Sequence, residues 1–303
     1  MNRVVGSVLI AVGAFLIVLA PLVRFQVAPA LIAAKADYYL ISKLEATGAQ
    51  YFSVPDGKVL TADLDITVTT RGDVKEAVGD RVVWDEFTSV NDVTNSKPGI
   101  SFSERRSAFD KRTGVGLNCC GVSVDKEPVQ LQGQIYKFPF DMEKRTYLVF
   151  NSTAGKALEA RFVGEDKVNG LDVYKFEQVV PETKTETRNV PAALFDMGES
   201  GDVQLDRFYS GTNTYWVEPV TGAPVRQEQQ RHEVLKSQDG TERAKAFVAD
   251  AKMTDKTVQE LVDSAIDGRS QVTLIRTTIP LVLLIVGVVM LVVGVWMFRR
   301  KVA

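Results

Sequence analysis

Two long apolar runs stand near the two ends of the chain. Residues 4–23 and residues 279–298 each contain twenty consecutive positions without a charged side chain. At a helical rise of about 1.5 Å per residue, twenty residues match the ~30 Å hydrocarbon core of a bilayer. Both runs therefore predict transmembrane helices. Small residues at positions 27–30 leave a second interpretation open for the first run, which is a signal peptide that is cleaved.

Basic residues beside the runs predict the orientation of the chain. The basic tail at residues 299–303 directly follows the second run, and residues 1–3 carry one arginine before the first. We therefore expect both tails in the cytoplasm and residues 24–278 outside it, which predicts an inner (plasma) membrane protein with an extracytoplasmic main domain. Arg24 and Arg276 adjoin the runs on the other side, each singly, and oppose this orientation only weakly.

The hydrophobic pattern between the runs has a different period. Leu64, Ile66 and Val68 alternate with polar residues, as in a half-buried strand. Turn sequences such as Pro-Asp-Gly and Asn-Gly separate further β-rich segments, and most gaps are too short for a parallel crossover. The segments that we predict as strands are residues 81–90, 99–109, 133–138, 145–150, 158–163, 171–179, 214–217 and 225–234. The predicted fold class is α+β, with a largely antiparallel, β-rich ectodomain and flanking helices, anchored by an N-terminal and a C-terminal transmembrane helix.

Two segments next to the runs predict the flanking helices. Residues 28–44 are rich in alanine and leucine, with charges interspersed, and predict a helix that follows the first run. Residues 255–266 predict a second helix that leads into the last run, with Thr254 as its N-cap. The polar run at residues 181–188 predicts a solvated loop or strand face.

Charge and motif content narrow the function. The formal net charge is −2 and both tails are basic, so the segment between the runs is more acidic than the whole chain, which argues against nucleic-acid binding. His232 is the single histidine, and the sequence has no Walker, GxGxxG or Gly-x-Ser-x-Gly motif. We therefore predict no catalytic triad, no metal and no cofactor. A calcium site in residues 196–206 and a glycan-modifying enzyme with paired carboxylates stay open as alternatives.

The two cysteines of the chain, Cys119 and Cys120, are adjacent. Adjacent cysteines cannot link distant segments, and thiols outside the cytoplasm tend to oxidise. Three interpretations are open. The pair forms a vicinal disulfide that shapes a turn, helped by the backbone freedom of Gly116 and Gly121, or stays as two buried free thiols, or serves in redox sensing or intermolecular pairing. We take the vicinal disulfide as the working prediction.

Four stretches of the ectodomain carry a family resemblance. They are residues 108–126, which contain both cysteines, and residues 134–151, 169–181 and 214–230. These stretches, together with the plan of two terminal spans, resemble actinobacterial envelope proteins of the porin PorA family, a group formerly described as a domain of unknown function. The resemblance implies a role in lipoglycan (lipomannan and lipoarabinomannan) or cell-wall assembly, and it brings no catalytic residues. Two apolar helices around a charged ectodomain are not the pattern of a transmembrane barrel, which needs an apolar band facing lipid.

We therefore expect a non-enzymatic envelope protein that binds a membrane lipid or a lipid-linked glycan. Aromatic side chains in or beside strands are the candidates to line an apolar ligand cavity, because they bury large areas without needing polar partners. The candidates are Trp84, Phe138, Phe140, Tyr147 and Trp216. Pro139, between the two phenylalanines, interrupts regular strand pairing and leaves either an opening or a strand end there.

A scaffold is an alternative to the binding protein. In that interpretation the spans dock onto a membrane glycosyltransferase. Small residues permit close contact between helices in a membrane, although no strict GxxxG is present. The small residues in the two spans are Gly6, Gly13, Gly287 and Gly294.

Overall fold

A computed structural model of the chain describes residues 2–195, 197 and 201–299. It divides into two compact units, one formed by Met1–Ala33 with Ile266–Ala303 and the other by Ala34–Ala265. Arg300 and Lys301 of the predicted basic tail lie outside the described residues. The predicted α+β class is confirmed, with an antiparallel sheet and apolar helices at both termini.

The first unit is helical. The helical segments in chain order are α1 (Asn2–Leu22), a π-helical segment (Val23–Val27), α2 (Ala28–Leu31), α3 (Asp255–Thr273), a second π-helical segment (Leu274–Thr278) and α4 (Ile279–Arg299). They join into two helical stretches, Arg3–Leu31 and Asp255–Arg299, which are both long and apolar enough to cross a membrane. The first part of α3 belongs to the second unit.

Helices α1 and α4 contact each other through glycines spaced seven residues apart. A Cβ atom added at Gly13 would lie 2.7 Å from the carbonyl oxygen of Gly287, and one added at Gly6 would lie 3.0 Å from that of Gly294. Both obstacles are backbone atoms, which cannot rotate away as a side chain can. A seven-residue repeat keeps one seam of two helices in contact, so the glycines set how closely the helices approach.

The second unit is built around one antiparallel sheet. Its strands are β1 (Tyr39–Ser53), β2 (Lys58–Gly72), β3 (Arg81–Asp92), β4 (Lys97–Asp110), β5 (Gly116–Leu117), β6 (Ser123–Val124), β7 (Glu127–Pro128), β8 (Tyr147–Asn151), β9 (Lys156–Val168), β10 (Leu171–Pro191), β11 (Asp202–Glu218), β12 (Ala223–Ser237) and β13 (Glu242–Met253). Their order in the sheet is β7-β6-β4-β3-β2-β1-β13-β12-β11-β10-β9-β8, with β5 beside β4. Each hairpin pairs with the next, so almost every strand neighbours the one before it in sequence.

β5, which lies beside β4, and β8, at the other end of the strand order, meet at Gly133 and Gln134. The Gly116 N–H on β5 donates to the Gly133 carbonyl at 2.9 Å, and the Gln134 N–H donates to the Leu148 carbonyl on β8 at 2.7 Å. The Phe150 N–H returns a bond to the Gln134 carbonyl at 3.1 Å. The sheet is therefore curled until β5, which pairs with β4, and β8 are joined through one short segment, which pairs part of both edges.

Helix α3 closes one core cluster of the second unit. Thr254 caps the helix, because its hydroxyl accepts the N–H of Thr257 at 3.3 Å, as its sequence position predicts. Val258 and Val262, one turn apart, pack against Val168, Leu171, Val173, Trp216 and Val225. Full burial of a side chain of this size stabilises the fold by ~1.5–3 kcal/mol.

Two predicted elements are wrong in the structure. The helix predicted for residues 28–44 ends at Leu31, and β1 starts at Tyr39. Ser42, Leu44 and Ala46 are buried while the residues between them are exposed, so the period is two, and the alanine and leucine content misled the prediction. The strand predicted for residues 133–138 is an irregular segment with two isolated bridges at Gln134, one to Val115 and one to Val149.

The glycine seam generates a prediction about the helix pair. Gly13→Leu should separate α1 and α4 near the substitution by roughly 2–3 Å, because the new side chain meets the Gly287 backbone and ordinary helices pack 8–10 Å apart. Spin labels at Val12 and Val288, in full-length protein with both native cysteines replaced by serine, measure this distance. Ala14→Leu, at an exposed neighbouring position, is the matched control. An unchanged distance in Gly13→Leu would contradict the role of the seam.

Candidate functional site

A groove of about 360 Å³ lies on the sheet at strands β2, β3, β4 and β6. The residues that line it are Thr69, Arg71, Asp85, Glu86, Phe87, Glu104, Arg105, Arg106 and Ser123. Strand register places most of them in two rows on one face. Arg71, Asp85, Arg106 and Ser123 are successive cross-strand partners, and so are Thr69, Phe87 and Glu104. Side chains directly opposite each other in antiparallel strands are close neighbours, so each row forms a continuous surface, which is polar except at Phe87.

Arg106 is the most connected side chain of the groove. Its Nη1 donates to both carboxylate oxygens of Asp85 at 2.8 and 2.9 Å, and its Nη2 donates to Asp73 at 2.8 Å. Its Nε donates to the Cys120 carbonyl at 2.8 Å. The hydrogen bond from Arg106 keeps the pKa of the Asp73 carboxyl below its usual value, although partial burial acts in the opposite direction. The guanidinium is thereby fixed in orientation, which is a requirement for directional recognition.

Arg105 pairs on the opposite face of β4. Its Nη2 lies 3.0 Å from Glu86 Oε2, and its guanidinium lies over the ring of Tyr136, 4.2 Å from the centroid. Burial raises the pKa of the Tyr136 hydroxyl far above its ordinary value, so that hydroxyl stays neutral. This ion pair belongs to the inner side of the strand and supports the groove from beneath.

The outer face of the groove leaves one cation and one aromatic pair open to solvent. Arg71 is exposed and forms no ion pair with any described residue. Phe87 is 46% exposed and stacks on Phe102, which is 59% exposed, with the ring centroids 5.8 Å apart. Exposed rings beside fixed hydrogen-bonding groups can take the apolar face of a polar ligand while its hydroxyls are bonded.

The cysteine pair forms a turn beside the groove. In the structure the sulfur atoms of Cys119 and Cys120 are bonded to each other. Cys120 has a φ of 62°, a left-handed conformation that a non-glycine residue adopts at some cost. Arg81 Nη1 lies 3.9 Å from the sulfur of Cys119. The turn thus carries the carbonyl that holds Arg106, and Ser123 in the groove follows it by three residues.

Phe138 and Tyr147, two of the predicted cavity residues, lie together in one core cluster. Phe138 is 2% exposed and meets Tyr147 edge to face, with the centroids 5.5 Å apart. Phe176 and Tyr215 complete the ring contacts around Phe138. The Phe138 N–H donates to the Gly222 carbonyl at 2.8 Å. The structure therefore brings these two predicted residues together, and their service as a cavity lining stays a prediction.

Trp84 and Trp216 lie in two other clusters. Trp84 stacks on Tyr38 at a centroid distance of 4.1 Å, and its Nε1 donates to the Lys35 carbonyl at 3.1 Å. Trp216 packs beside α3, and its Nε1 donates to Asp166 at 2.9 Å. That hydrogen bond is the main cause of a lowered pKa at the Asp166 carboxyl. The structure does not bring the predicted set into one group.

Phe140, the fifth predicted cavity residue, lies against the buried amine of Lys137. The Nζ of Lys137 lies 3.5 Å from the centroid of the Phe140 ring and has no hydrogen-bond partner among the described residues. Lys137 is only 9% exposed. Burial lowers the pKa of Lys137 from 10.5 to about 7, and the negative charge of Asp110 opposes this shift. The ring compensates part of the lost hydration of the ammonium group.

The groove residues were absent from the sequence predictions. The strands β3 and β4 were predicted, but which of their polar residues face each other depends on a register that the sequence does not state. Two signals were present. Arg105 and Arg106 are adjacent, and Phe87 and Phe102 occur at positions that alternate with polar residues on their strands. An aromatic residue on a polar strand face is a signal for a binding surface.

The carboxylates of the calcium alternative are only partly described. Asp196 and Glu199 lie outside the described residues. Asp206 lies 2.7 Å from Lys184 and accepts the Thr187 hydroxyl at 2.7 Å. Within the described part of the chain, no three His, Cys, Asp or Glu side chains group as metal ligands do.

The fold defines the chain as a membrane or cell-envelope protein with a β-rich domain between two apolar helices. It belongs to the Porin PorA family, whose sequence profile matches residues 5–296. It is 26% identical to Porin PorA of Corynebacterium amycolatum in an alignment 218 residues long, which covers 62% of this chain and 52% of that protein. It is 27% identical to Porin PorA of Corynebacterium resistens in an alignment 145 residues long, which covers 32% of this chain and 35% of that protein. The matched part therefore spans about half the length of the first of these relatives and about a third of the second.

The cysteine turn predicts a disulfide of small energetic effect. Non-reducing peptide mapping should find the peptide that contains Cys119 and Cys120 lighter by two hydrogens. Replacing both with serine should lower the free energy of unfolding by about 1 kcal/mol, because a bond between neighbours removes little chain entropy. Alkylation of both thiols without prior reduction would contradict the pairing.

Lys137 predicts a pH-dependent stability. Because its folded pKa is about 7 and its ordinary value is 10.5, the unfolded chain binds the extra proton between these values, and stability rises with pH across that window. Lys137→Met should stabilise the protein at pH 6 by on the order of 3 kcal/mol, and this gain should shrink as the pH rises. Thermal midpoints from tryptophan fluorescence at pH 6 to 9 test this.

The control for Lys137 is an exposed lysine. Lys126→Met removes a charge that is largely in solvent and should leave the pH dependence as it is in the unmodified protein. Parallel stability curves for Lys137→Met and the unmodified protein would show that the amine is not desolvated in solution.

Proposed function

We propose that this chain is a non-enzymatic envelope protein of the inner membrane, with both termini cytoplasmic, whose ectodomain binds the glycan part of a lipid-linked glycan and supports lipoglycan or cell-wall assembly. The groove of Arg71, Asp85, Phe87 and Arg106 carries the proposal. Membership of the Porin PorA family supports the envelope setting. A membrane glycosyltransferase is the partner that such a binding step would serve.

The charge balance of the groove favours a neutral polar ligand. On the groove face, two guanidinium groups, Arg71 and Arg106, stand against two carboxylates, Asp85 and Glu104. A polyanion would be repelled by the carboxylates, and an apolar chain would leave the charges without water. Sugar rings satisfy both kinds of group, because hydroxyls donate to carboxylates and accept from guanidinium groups. Phe87 adds a ring face for the C–H side of a sugar.

The arrangement supports binding more than catalysis. Asp85 is held by two hydrogen bonds from Arg106, and Glu86 is ion-paired with Arg105. A general acid or nucleophile must be free to transfer a proton or to attack, whereas these carboxylates are fixed as acceptors. The glycan-modifying enzyme therefore ranks below the binding protein.

The name of the relatives raises conduction as a different function. Within this chain, backbone atoms of α1 and α4 meet at Gly13 and Gly287, so this helix pair encloses no channel. A pore lined by these two helices would have to form between copies of the chain. Conductance across a planar bilayer by the purified protein would favour that function over glycan binding.

The groove predicts binding of a short oligosaccharide. Full-length protein in lipid nanodiscs should bind a mannose tetrasaccharide in isothermal titration calorimetry. Phe87→Ala should weaken this binding about tenfold, because the ring supplies stacking worth on the order of 1 kcal/mol. Phe87 is exposed, so the substitution should leave the thermal midpoint nearly unchanged.

Two controls separate the groove from general effects. Val179→Ala removes another exposed apolar side chain, on β10, and should bind as the unmodified protein does. Asp85→Asn removes the carboxylate that Arg106 holds and should also weaken the binding. Glu159→Gln, which breaks the exposed ion pair with Arg161, is its matched control and should bind as the unmodified protein does. Absence of binding in the unmodified protein, or equal losses in Val179→Ala and Phe87→Ala, would contradict the proposal. Cleavage of the recovered tetrasaccharide would favour the enzyme instead.

A further inference from the structure

We propose that the turn of Cys119 and Cys120 is a site of thiol–disulfide exchange with a dithiol, and that Arg81 stabilises the sulfur that leaves as a thiolate. Opening of the bond frees Arg106 from the turn, so the redox state of the turn sets the orientation of a groove residue. The exchange and the release of Arg106 stand on the turn itself, whereas their effect on glycan affinity rests on the function proposed above.

The turn is anchored on both sides, and the sulfur atoms lie between the anchors. Before it, the Leu131 N–H donates to Asn118 Oδ1 at 2.6 Å, and Asn118 Nδ2 donates to the Leu131 carbonyl at 3.2 Å. After it, Ser123 and Val124 pair with β4. Both cysteines are partly exposed, and a Cβ atom added at Gly121 would meet nothing within 4 Å. The turn therefore has space beside it and can change shape without displacing the strands that flank it.

The bond is closed over a backbone conformation that is unfavourable by itself. Cys120 has a φ of 62°, which a residue with a side chain adopts at some cost. Its carbonyl accepts from Arg106 Nε at 2.8 Å in this conformation. A bond between neighbouring residues removes little chain entropy, so the fold loses little when the bond opens. Once the bond is open, Cys120 can leave the left-handed region, and its carbonyl then turns away from Arg106.

Arg81 determines which sulfur leaves. Its Nη1 donates to Cys119 Sγ at 3.9 Å, and its Nε donates to the Glu76 carbonyl at 3.0 Å, which fixes the guanidinium beside the turn. A cation beside a sulfur stabilises the thiolate and makes that sulfur the better leaving group. A thiolate of the dithiol therefore attacks Cys120 Sγ, and Cys119 Sγ departs toward Arg81.

The exchange takes two steps. In the first, a bond forms between one sulfur of the dithiol and Cys120 Sγ, while the bond to Cys119 Sγ breaks and Cys119 takes the electron pair. In the second, the other thiolate of the dithiol attacks the dithiol sulfur of this mixed disulfide and releases Cys120 as a thiolate. The protein gains two electrons and two protons, and the dithiol, which loses them, becomes a disulfide.

Opening removes one of the contacts that orient Arg106. Asp73 and Asp85 remain as acceptors for its Nη atoms, so the guanidinium stays in the groove but loses the bond at Nε. Directional recognition depends on the orientation of a guanidinium group. The oxidised protein is therefore the form that binds the glycan more tightly, and a dithiol lowers its affinity.

The rate of bond opening tests the role of Arg81. Full-length protein in lipid nanodiscs is treated with dithiothreitol at pH 7, quenched in acid at intervals, alkylated and mapped by peptide mass. Arg81→Gln should slow the opening about fivefold, because the leaving thiolate loses its cation. Arg81→Lys keeps the charge and should open at close to the rate of the unmodified protein. Arg161→Gln, which removes an exposed arginine that is also in one ion pair, is the matched control and should leave the rate unchanged.

Two results of this experiment would overturn the exchange site. One is an equal rate in Arg81→Gln and the unmodified protein. The other is equal slowing in Arg81→Gln and Arg81→Lys, which would assign the effect to packing instead of charge.

NMR of protein labelled at its arginine side chains tests the release of Arg106 without any ligand. The Arg106 Nε–H signal, assigned by its loss in Arg106→Lys, should shift and exchange faster with water after reduction, while the Arg161 signal stays unchanged. Cys119→Ser with Cys120→Ser should give the reduced signal with or without dithiothreitol. An Arg106 signal that is the same in both redox states would overturn the release, whether or not a glycan binds.

Calorimetry then keeps this inference distinct from the glycan proposal. The reduced protein should bind the mannose tetrasaccharide about fivefold more weakly than the oxidised protein, because one contact that orients Arg106 is lost. Equal affinities in the two redox states would overturn the control of the groove by the turn. Absence of binding in both states would contradict the glycan proposal and with it the effect on affinity, whereas the opening rates and the Arg106 signal would still decide the exchange site.

Discussion

The junction at Gly133 and Gln134 is the constraint on which the β-rich domain depends. Without it, β5 and β8 would each present unpaired backbone groups along an open edge. With it, Phe150 of β8 packs against Trp84 and Phe109 of β3 and β4, so the two ends of the sheet share one core cluster. The irregular segment that follows the junction then places Tyr136 over Arg105, buries Lys137 and inserts Phe138 among other rings. A backbone constraint thus fixes the side chains that support the groove.

The buried polar side chains of this domain, like the backbone at the sheet edge, need hydrogen-bond partners. Gln178 is fully buried and its Oε1 accepts from Asn151 and Asn213, while its amide donates to the Val149 carbonyl. It lies where β10 separates from β9, and its side chain provides bonds that the ladder no longer provides. Lys137 is the contrast, since an aromatic ring is its main compensation. The Gln178 amide is fully hydrogen-bonded, whereas the Lys137 amine is not. The stability of the domain should therefore depend on pH through Lys137.

Local pattern predicted much of the fold, and long-range register decided the rest. The apolar runs, the Thr254 cap and most strands of the middle segment follow from periods of two and 3.6 that neighbouring residues display. The start of β1 was not predicted, because alanine and leucine favour a helix. Only the burial of Ser42 and Leu44 on one face of the sheet identifies the strand. The groove could not be predicted from the sequence for the same reason. Asp73, Asp85 and Cys120 meet at Arg106 only after the strands are paired and the turn is closed.

The dipeptide Arg105-Arg106 shows how one register serves both faces of a sheet. Successive side chains of a strand point to opposite sides, so Arg105 turns toward Glu86 and Tyr136 while Arg106 turns toward Asp85 and the cysteine turn. A slip of one residue would exchange these environments and place each guanidinium opposite the wrong carboxylate. Because both arginines are paired in the observed register, the charges that form the groove also specify the alignment of β3 with β4. The proposed binding surface and the strand alignment therefore rest on the same ion pairs.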